Sequence, residues 1–356
     1  MIQIKKPIIY LMMTVLFVLF TCQSSETTKE VYPENEIPVS SISDEAMQEF
    51  ITGLNILDQG NAQKARPFFE KALALDPAFV SAQMYRTFSS NSAKDFGENR
   101  DKFLAMRDKS NEGEKIIMDI ILADMEDDDL KELELSKQLV EKYPKSAQAH
   151  DFLAGSHTSL DETENARENW AKAMKFNPDY IPAISNLGAS YLFTSPKDFS
   201  KAEKYMAKVV EKAPNSSRAH INLGDCYRAQ NNLEKALTSY VKAAELDPED
   251  QVALSKAGHV NSFLGNYEAA RKNYQEARAL SEFGTGSYNF EAYTYLYEGD
   301  HKKALAFLEE TAKTVGEMDI PESNKTGTKM NCTFNCAMIA MHHGDTEHLK
   351  DRKSVV

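Results

Sequence analysis

Apolar and small positions return along this chain at helical spacing and also in a longer period. The stretch NLEKALTSYVKAAELDPED (232–250) recurs in looser form as YEAARKNYQEARALSE (267–282) and FSKAEKYMAKVVEKAPNS (199–216). Weaker copies are ENARENWAKAMKFNPDY (164–180) and AQKARPFFEKALALDPAF (62–79). One alanine anchors each unit, at Ala65, Ala166, Ala202, Ala236, Ala270 and Ala304, and the last three stand 34 residues apart. A fixed period of that length, with apolar residues three and four apart inside each unit, predicts a pair of amphipathic helices per repeat.

The residue types explain how such a pair would pack. Small residues let two helices approach closely: Gly53, Gly188, Gly224 and Gly258 in the predicted first helices, and the anchor alanines with Ala72, Ala173, Ala243 and Ala277 in the second. Phe69, Trp170, Tyr240 and Tyr274 lie four residues beyond their alanines, on the same helical face. Gly60, Gly265, Gly299 and Gly344 fall where the hairpin turns, with Asn231 in that place once; Pro77, Pro178, Pro214 and Pro248 end second helices.

These residues and their period resemble the tetratricopeptide repeat (TPR) family. The resemblance implies an all-α, right-handed α-solenoid of about eight stacked hairpins plus a partial one, with starts near residues 46, 80, 113, 147, 181, 217, 251 and 285. Residues 44–317 are expected to form the array. Within it, 80–146 keep only the spacing and lack the small residues.

The array is preceded by a targeting pattern. Lys5 and Lys6 come before an uncharged apolar run, Ile8 to Phe20, which is shorter than the roughly 20 residues a membrane span needs. Leu19-Phe20-Thr21-Cys22 resembles a bacterial lipoprotein lipobox, with Thr21 where Gly, Ala or Ser is usual. The expectation is a signal peptide over 1–21, lipid attachment at Cys22 and a polar tether over 22–43. That places the protein in the cell envelope, facing the periplasm or cell surface.

Past the array, DIPESNKTGTK reads as a polar insertion and MNCTFNCAMIAMHHG as the first helix of a partial unit, within 318–350. The last six residues, DRKSVV, are what the start of a common sequencing adapter encodes, so Asp351–Val356 are expected to be library-derived, with the natural chain continuing past Lys350.

Catalytic and metal signatures are weak. Cys332 and Cys336 lie one helical turn apart near His342, His343 and His348, but that spacing is not the usual zinc pattern, and buried thiols are the simpler reading. The acidic run Asp124–Asp129 lacks the glycine and terminal glutamate of a calcium loop and fits a helix N-terminus. GTGSYNF lies between predicted helices, the wrong context for a phosphate cradle. No cofactor is implied. The net charge of −13 disfavours nucleic acid.

What remains is recognition. By the family's geometry, Asn186, Asn222, Asp225, Arg228, His259, Tyr293 and Tyr297 face the concave groove that takes a protein or peptide. Ile221 and Asp225 stand where the lysine-rich clamp of chaperone-tail-binding members has positive and amide groups, which argues against a free C-terminal carboxylate as ligand. The expected function is a non-enzymatic envelope scaffold. The alternatives are the binding part of a longer enzyme with its catalytic domain beyond Lys350, and an envelope assembly factor.

Overall fold

A computed structural model describes Tyr32, residues 34–39, 41–281, 283 and 287–345 of the 356-residue chain. The signal pattern with Cys22, and the tail Asp351–Val356, lie outside the described residues. Among those residues there are seventeen α-helices and no strand.

Sixteen helices pair as eight hairpins in chain order. The first three pairs are α1 (Asp44–Asp58) with α2 (Ala62–Leu75), α3 (Val80–Phe88) with α4 (Ala93–Leu104), and α5 (Glu112–Met125) with α6 (Asp129–Lys142). Then come α7 (Ala147–Ser159) with α8 (Thr163–Phe176), and α9 (Ile181–Phe193) with α10 (Phe199–Lys212). Three more follow: α11 (Ser217–Ala229) with α12 (Leu233–Leu246), α13 (Gln251–Phe263) with α14 (Tyr267–Ala279), and α15 (Tyr288–Tyr297) with α16 (His301–Glu317). Each second helix packs on its own first helix and, with the exception of α4, on the helix that follows it, which is the arrangement of an α-solenoid.

The turns show why the sequence folds this way. Gly60, Gly265 and Gly299 adopt φ of 81°, 80° and 85°, and the equivalent places are held by Asp127, Asp161 and Asn231 at 54°, 57° and 58°. Short polar side chains tolerate this left-handed region, so Asp substitutes for Gly twice where only Asn231 was expected. First helices start on serines, with Ser43, Ser146 and Ser216 accepting from the amides of Ala46, Ala149 and Ala219. Between helices the small–large pairs interlock: a Cβ on Gly224 would sit 2.6 Å from Tyr240 Cε1, and one on Gly258 2.6 Å from Tyr274 Cε1.

Residues 80–146 form hairpins in which that device survives only at Gly113, where a Cβ would lie 2.9 Å from Tyr143 Cε2. Their core is aliphatic and sulfur-rich, built on Val80, Met84, Phe103, Met106, Ile117 and Met118, and it includes Ile37. The tether expectation is therefore corrected at its C-terminal end. Ile37 is 2% exposed, seated over Gly113, where an added Cβ would lie 2.5 Å from Ile37 Cγ2. Beside it, Glu36 accepts from Ser146 Oγ (2.5 Å) and the amides of Ala147 and Gln148 (3.2 and 3.1 Å), capping α7 from outside its own hairpin.

A second correction concerns the expected polar insertion. Glu322–His343 is one helix, α17, so ESNKTGTK forms its first turns rather than a loop. Cys332, Cys336, Ile339 and Ala340 bury one face of it against α15 and α16. Met330, Phe334, Met338 and Met341 leave an apolar stripe exposed on another.

One contact joins distant hairpins. Ser216 Oγ donates to the Gln59 carbonyl in the first turn, and Arg218 Cβ lies 2.9 Å from where a Cβ on Gly60 would be. The start of α11 is thereby held against the end of α1.

Candidate functional site

Side chains of the first helices line two chemically different regions. The first is an open cavity of about 430 Å³ lined by Arg228, Gln251, Val252, Ser255, Lys256 and His259. Its floor is a charge pair: Lys256 Nζ lies 2.6 and 2.7 Å from the Asp225 oxygens, Tyr240 OH donates to Asp225 Oδ1 at 2.6 Å, and Arg228 stands 3.7 Å away. Asp225 is 6% exposed, so it works as the anchor that orients Lys256 rather than as a group open to a partner. Arg228 is exposed.

His259 Nδ1 and Tyr274 OH share a 2.9 Å hydrogen bond, and the Phe290 ring meets the imidazole edge-on at 4.4 Å between centroids. Burial, then the nearby Arg228 and Lys256 charges, push the His259 pKa down, so the imidazole is neutral at physiological pH. Asn222 is half-buried, and Phe290 in turn meets the Tyr293 ring edge-on at 6.4 Å between centroids.

The structure thus brings Asp225, Arg228 and His259 together, with Asn222 one turn away on α11, while Tyr293, Tyr297 and Asn186 are engaged elsewhere. Tyr293 OH donates to Asn335 Oδ1 on α17 at 2.5 Å, which ties it to the last helix. Tyr297 is 55% exposed and backs onto Tyr267 at the start of α14, its carbonyl accepting from Tyr267 OH at 3.3 Å. Asn186 belongs to the second region.

That region was not visible in the repeat pattern. Asp151 on α7 accepts from Trp170 Nε1 (2.9 Å), Asn186 Nδ2 (3.2 Å) and Tyr180 OH (3.3 Å). Tyr85 on α3 accepts from Gln148 Nε2 at 2.8 Å. Asp58, at the end of α1, faces the same space. Burial, then the Asp151 charge, push its pKa up to about 7. Asp151 itself is raised by burial against the lowering effect of its three donors. Asp58 and Asp151 both act on Tyr85 and Tyr180, whose burial raises their phenol pKa values well above normal. One signal was available: Asp151 is an acid on a first helix otherwise rich in small residues and histidine.

The other candidates have structural places. Cys226, Cys332 and Cys336 are buried thiols outside any disulfide. Asp128 in the acidic run caps α6 by accepting from the Lys131 amide at 3.1 Å. No group of three or more His, Cys, Asp and Glu suited to a metal occurs among the described residues.

Hairpin follows hairpin, with small–large interlocking in the well-spelled repeats: this is the class of α-helical repeat proteins. Within that class, two segments match family models described as tetratricopeptide repeat, residues 217–250 and 57–79. Relatives include Hsp70-Hsp90 organizing protein 3 of Arabidopsis thaliana, 26% identical over 117 residues (33% of this chain, 21% of the relative). Another is anaphase-promoting complex subunit 3 of Schizosaccharomyces pombe, 26% identical over 140 residues (39% and 20%). The match thus spans about a fifth of the length of these relatives. Among solved structures, MamA from Desulfovibrio magneticus RS-1 aligns with TM-score 0.43 and 20% identity, over 48% of this chain and 96% of that one. YrrB, titled a TPR protein with an unusual peptide-binding site, aligns with TM-score 0.42 and 17% identity, over 55% and 97%.

Proposed function

We propose that this chain is a non-enzymatic scaffold of the bacterial cell envelope that binds a protein or extended peptide along its first-helix face and is held to the membrane by lipid at Cys22. The observation that carries the binding reading is the open cavity of about 430 Å³ between α11 and α13, with the Arg228 guanidinium, the neutral His259 and the Lys256 ammonium around it. Such a surface offers donors and ring faces to a peptide backbone, the mode repeat arrays use for extended ligands. Two relatives carry names that place them among protein assemblies, an organizing protein and a complex subunit, which supports a scaffold over an enzyme.

The envelope part rests on Lys5, Lys6, the run Ile8–Phe20 and the Leu19–Cys22 pattern. Photo-crosslinking from position 255 in a native envelope fraction tests the binding reading. A discrete adduct that disappears with Arg228→Glu is expected, and an adduct pattern indifferent to that change refutes it. Labelled palmitate followed into the wild type and Cys22→Ala tests the anchor, with equal incorporation refuting it.

A further inference from the structure

Asp58 is the unusual group on the first-helix face. It sits deep in the protein, yet solvent still reaches it, and it has no hydrogen-bond or ion-pair partner among the described residues. The neighbouring carboxylates are satisfied: Asp151 holds three donors, and Glu36 holds a hydroxyl and two helix N-terminal amides. A desolvated, unpaired carboxylate is costly and is kept where something else supplies the countercharge.

The surroundings suit one kind of countercharge. Tyr85, with its ring stacked on Phe69, and Tyr180 bring two phenols within the influence of Asp58 and Asp151, and aromatic rings attract cations. Gln148 and Asn186 supply side-chain amides, whose oxygens accept from N–H donors. The donor set does not form a metal group. Five elements contribute: α1, α3, α7, the Tyr180 turn and α9, so the site is assembled by the stacking of hairpins. The Ser216–Gln59 contact holds the end of α1, and with it Asp58, in place.

We propose that this space is a subsite for a cationic side chain, lysine or arginine, of a bound peptide, with Asp58 as the ion-pair partner, Asp151 as the second charge, and Tyr85 and Tyr180 as the walls. This rests on the peptide-binding reading and deepens it by naming a ligand residue at a place well separated in sequence from the Arg228 cavity.

Proton linkage gives the site a signature. The groups facing Asp58 are Asp151 from α7, Tyr85 from α3 and Tyr180 before α9; Glu36 ahead of α1 acts on those three, and Arg218 of α11 stands across the adjoining turn. A cation pairs with ionised Asp58, and that form rises from about one tenth to about nine tenths between pH 6 and pH 8 for a group titrating near 7. Affinity should rise about tenfold across that interval.

The chain's single tryptophan reports on the site, because Trp170 Nε1 is bonded to Asp151. The full chain is titrated with the end-capped pentapeptide Gly-Ser-Arg-Ser-Gly and with the same peptide carrying citrulline, the neutral isostere, while Trp170 emission is followed. The expected result is a saturable change with at least tenfold preference for arginine and the pH dependence above. Asp58→Asn, checked for unchanged helical circular dichroism, should lose both. Tyr85→Leu should weaken arginine binding severalfold and keep the pH dependence.

Equal affinity for the two peptides, a preference that survives Asp58→Asn, or no saturable change up to millimolar peptide each overturn the subsite. Putrescine binding more tightly than the arginine peptide would overturn the assignment to a peptide side chain. Crosslinking from position 255 does not depend on Asp58, so failure here leaves the scaffold reading to its own test.

Discussion

Gly258→Ala tests the packing logic of the array directly. A Cβ there would lie 2.6, 2.9 and 3.1 Å from Cε1, Cδ1 and Cζ of Tyr274, against about 3.5–4.0 Å for comfortable carbon contacts. The ring cannot swing away freely, since Tyr274 is 1% exposed, hydrogen-bonded to His259 and Ser262, and stacked near Phe290. Overpacking of this kind costs about 1–3 kcal/mol, and the gain of alanine over glycine in a helix returns about 1 kcal/mol. The net is a loss of up to about 2 kcal/mol, or a fall of as much as a few degrees in midpoint for a domain of this size class. Gly155→Ala on α7 is the control, because nothing lies within 4 Å of its Cβ position and the site is exposed. There only the helix term operates, and stability should rise by about 0.5–1 kcal/mol. Thermal unfolding followed by circular dichroism reads both. If the two substitutions shift the midpoint in the same direction, close approach is not what the first-helix glycines provide.

Other expectations follow from named groups. Lys256→Met leaves the Asp225 carboxylate with Tyr240 and a distant Arg228, and should cost about 2 kcal/mol in urea unfolding, with Lys256→Met plus Asp225→Asn recovering most of it. Burial pushes the Cys226 thiol up to about 12, so it should resist a thiol reagent at pH 8 and react only as urea unfolds the array; prompt labelling in native buffer would contradict this. Asp58 binds its proton more tightly when folded, near 7, than in an unfolded chain, near roughly 4. Its stabilising contribution is therefore complete below about pH 4 and lost as pH rises through 7, by at most about 4 kcal/mol. Asp58→Asn should flatten that part of the stability–pH curve, and an unchanged slope would remove Asp58 as its source.

The hairpins were legible because their signals are local and repeated. Gly224 with Tyr240 and Gly258 with Tyr274 obey one spacing rule, and the rule is steric. Where the core is made otherwise the rule is silent: Met84, Met106 and Met118 fill space without a fixed partner, so residues 80–146 showed only helical period. The tether and the insertion were misread for a related reason. Ile37 is one of a few scattered apolar residues in a polar stretch, and its value depends on Gly113, far along the chain. ESNKTGTK is polar, yet its helix packs through residues further on, at Cys332 and Cys336. The Arg228–His259 cavity was half legible, since both members lie on first helices of well-spelled repeats. Asp58, Tyr85 and Asp151 come from three different hairpins, one of them diverged, and no one-dimensional spacing relates them.

The two regions of the first-helix face differ in how their charges are settled. At α11 and α13, Asp225 is neutralised within the protein by Lys256, so Arg228 is left as the outward charge and the cavity is cationic. At α1 and α7 the carboxylates outnumber their cationic partners, and Asp58 is left as the unpaired charge. A peptide running between them would gain from a basic residue at one end and an acidic or acceptor-rich one at the other, and reversing it would place like charges together. On the proposed peptide-binding reading, such a surface would select direction as well as composition, because like charges brought together oppose binding. On the proposed subsite, the unpaired Asp58 would have a physical explanation: its destabilising charge would be offset in the bound state rather than in the free fold.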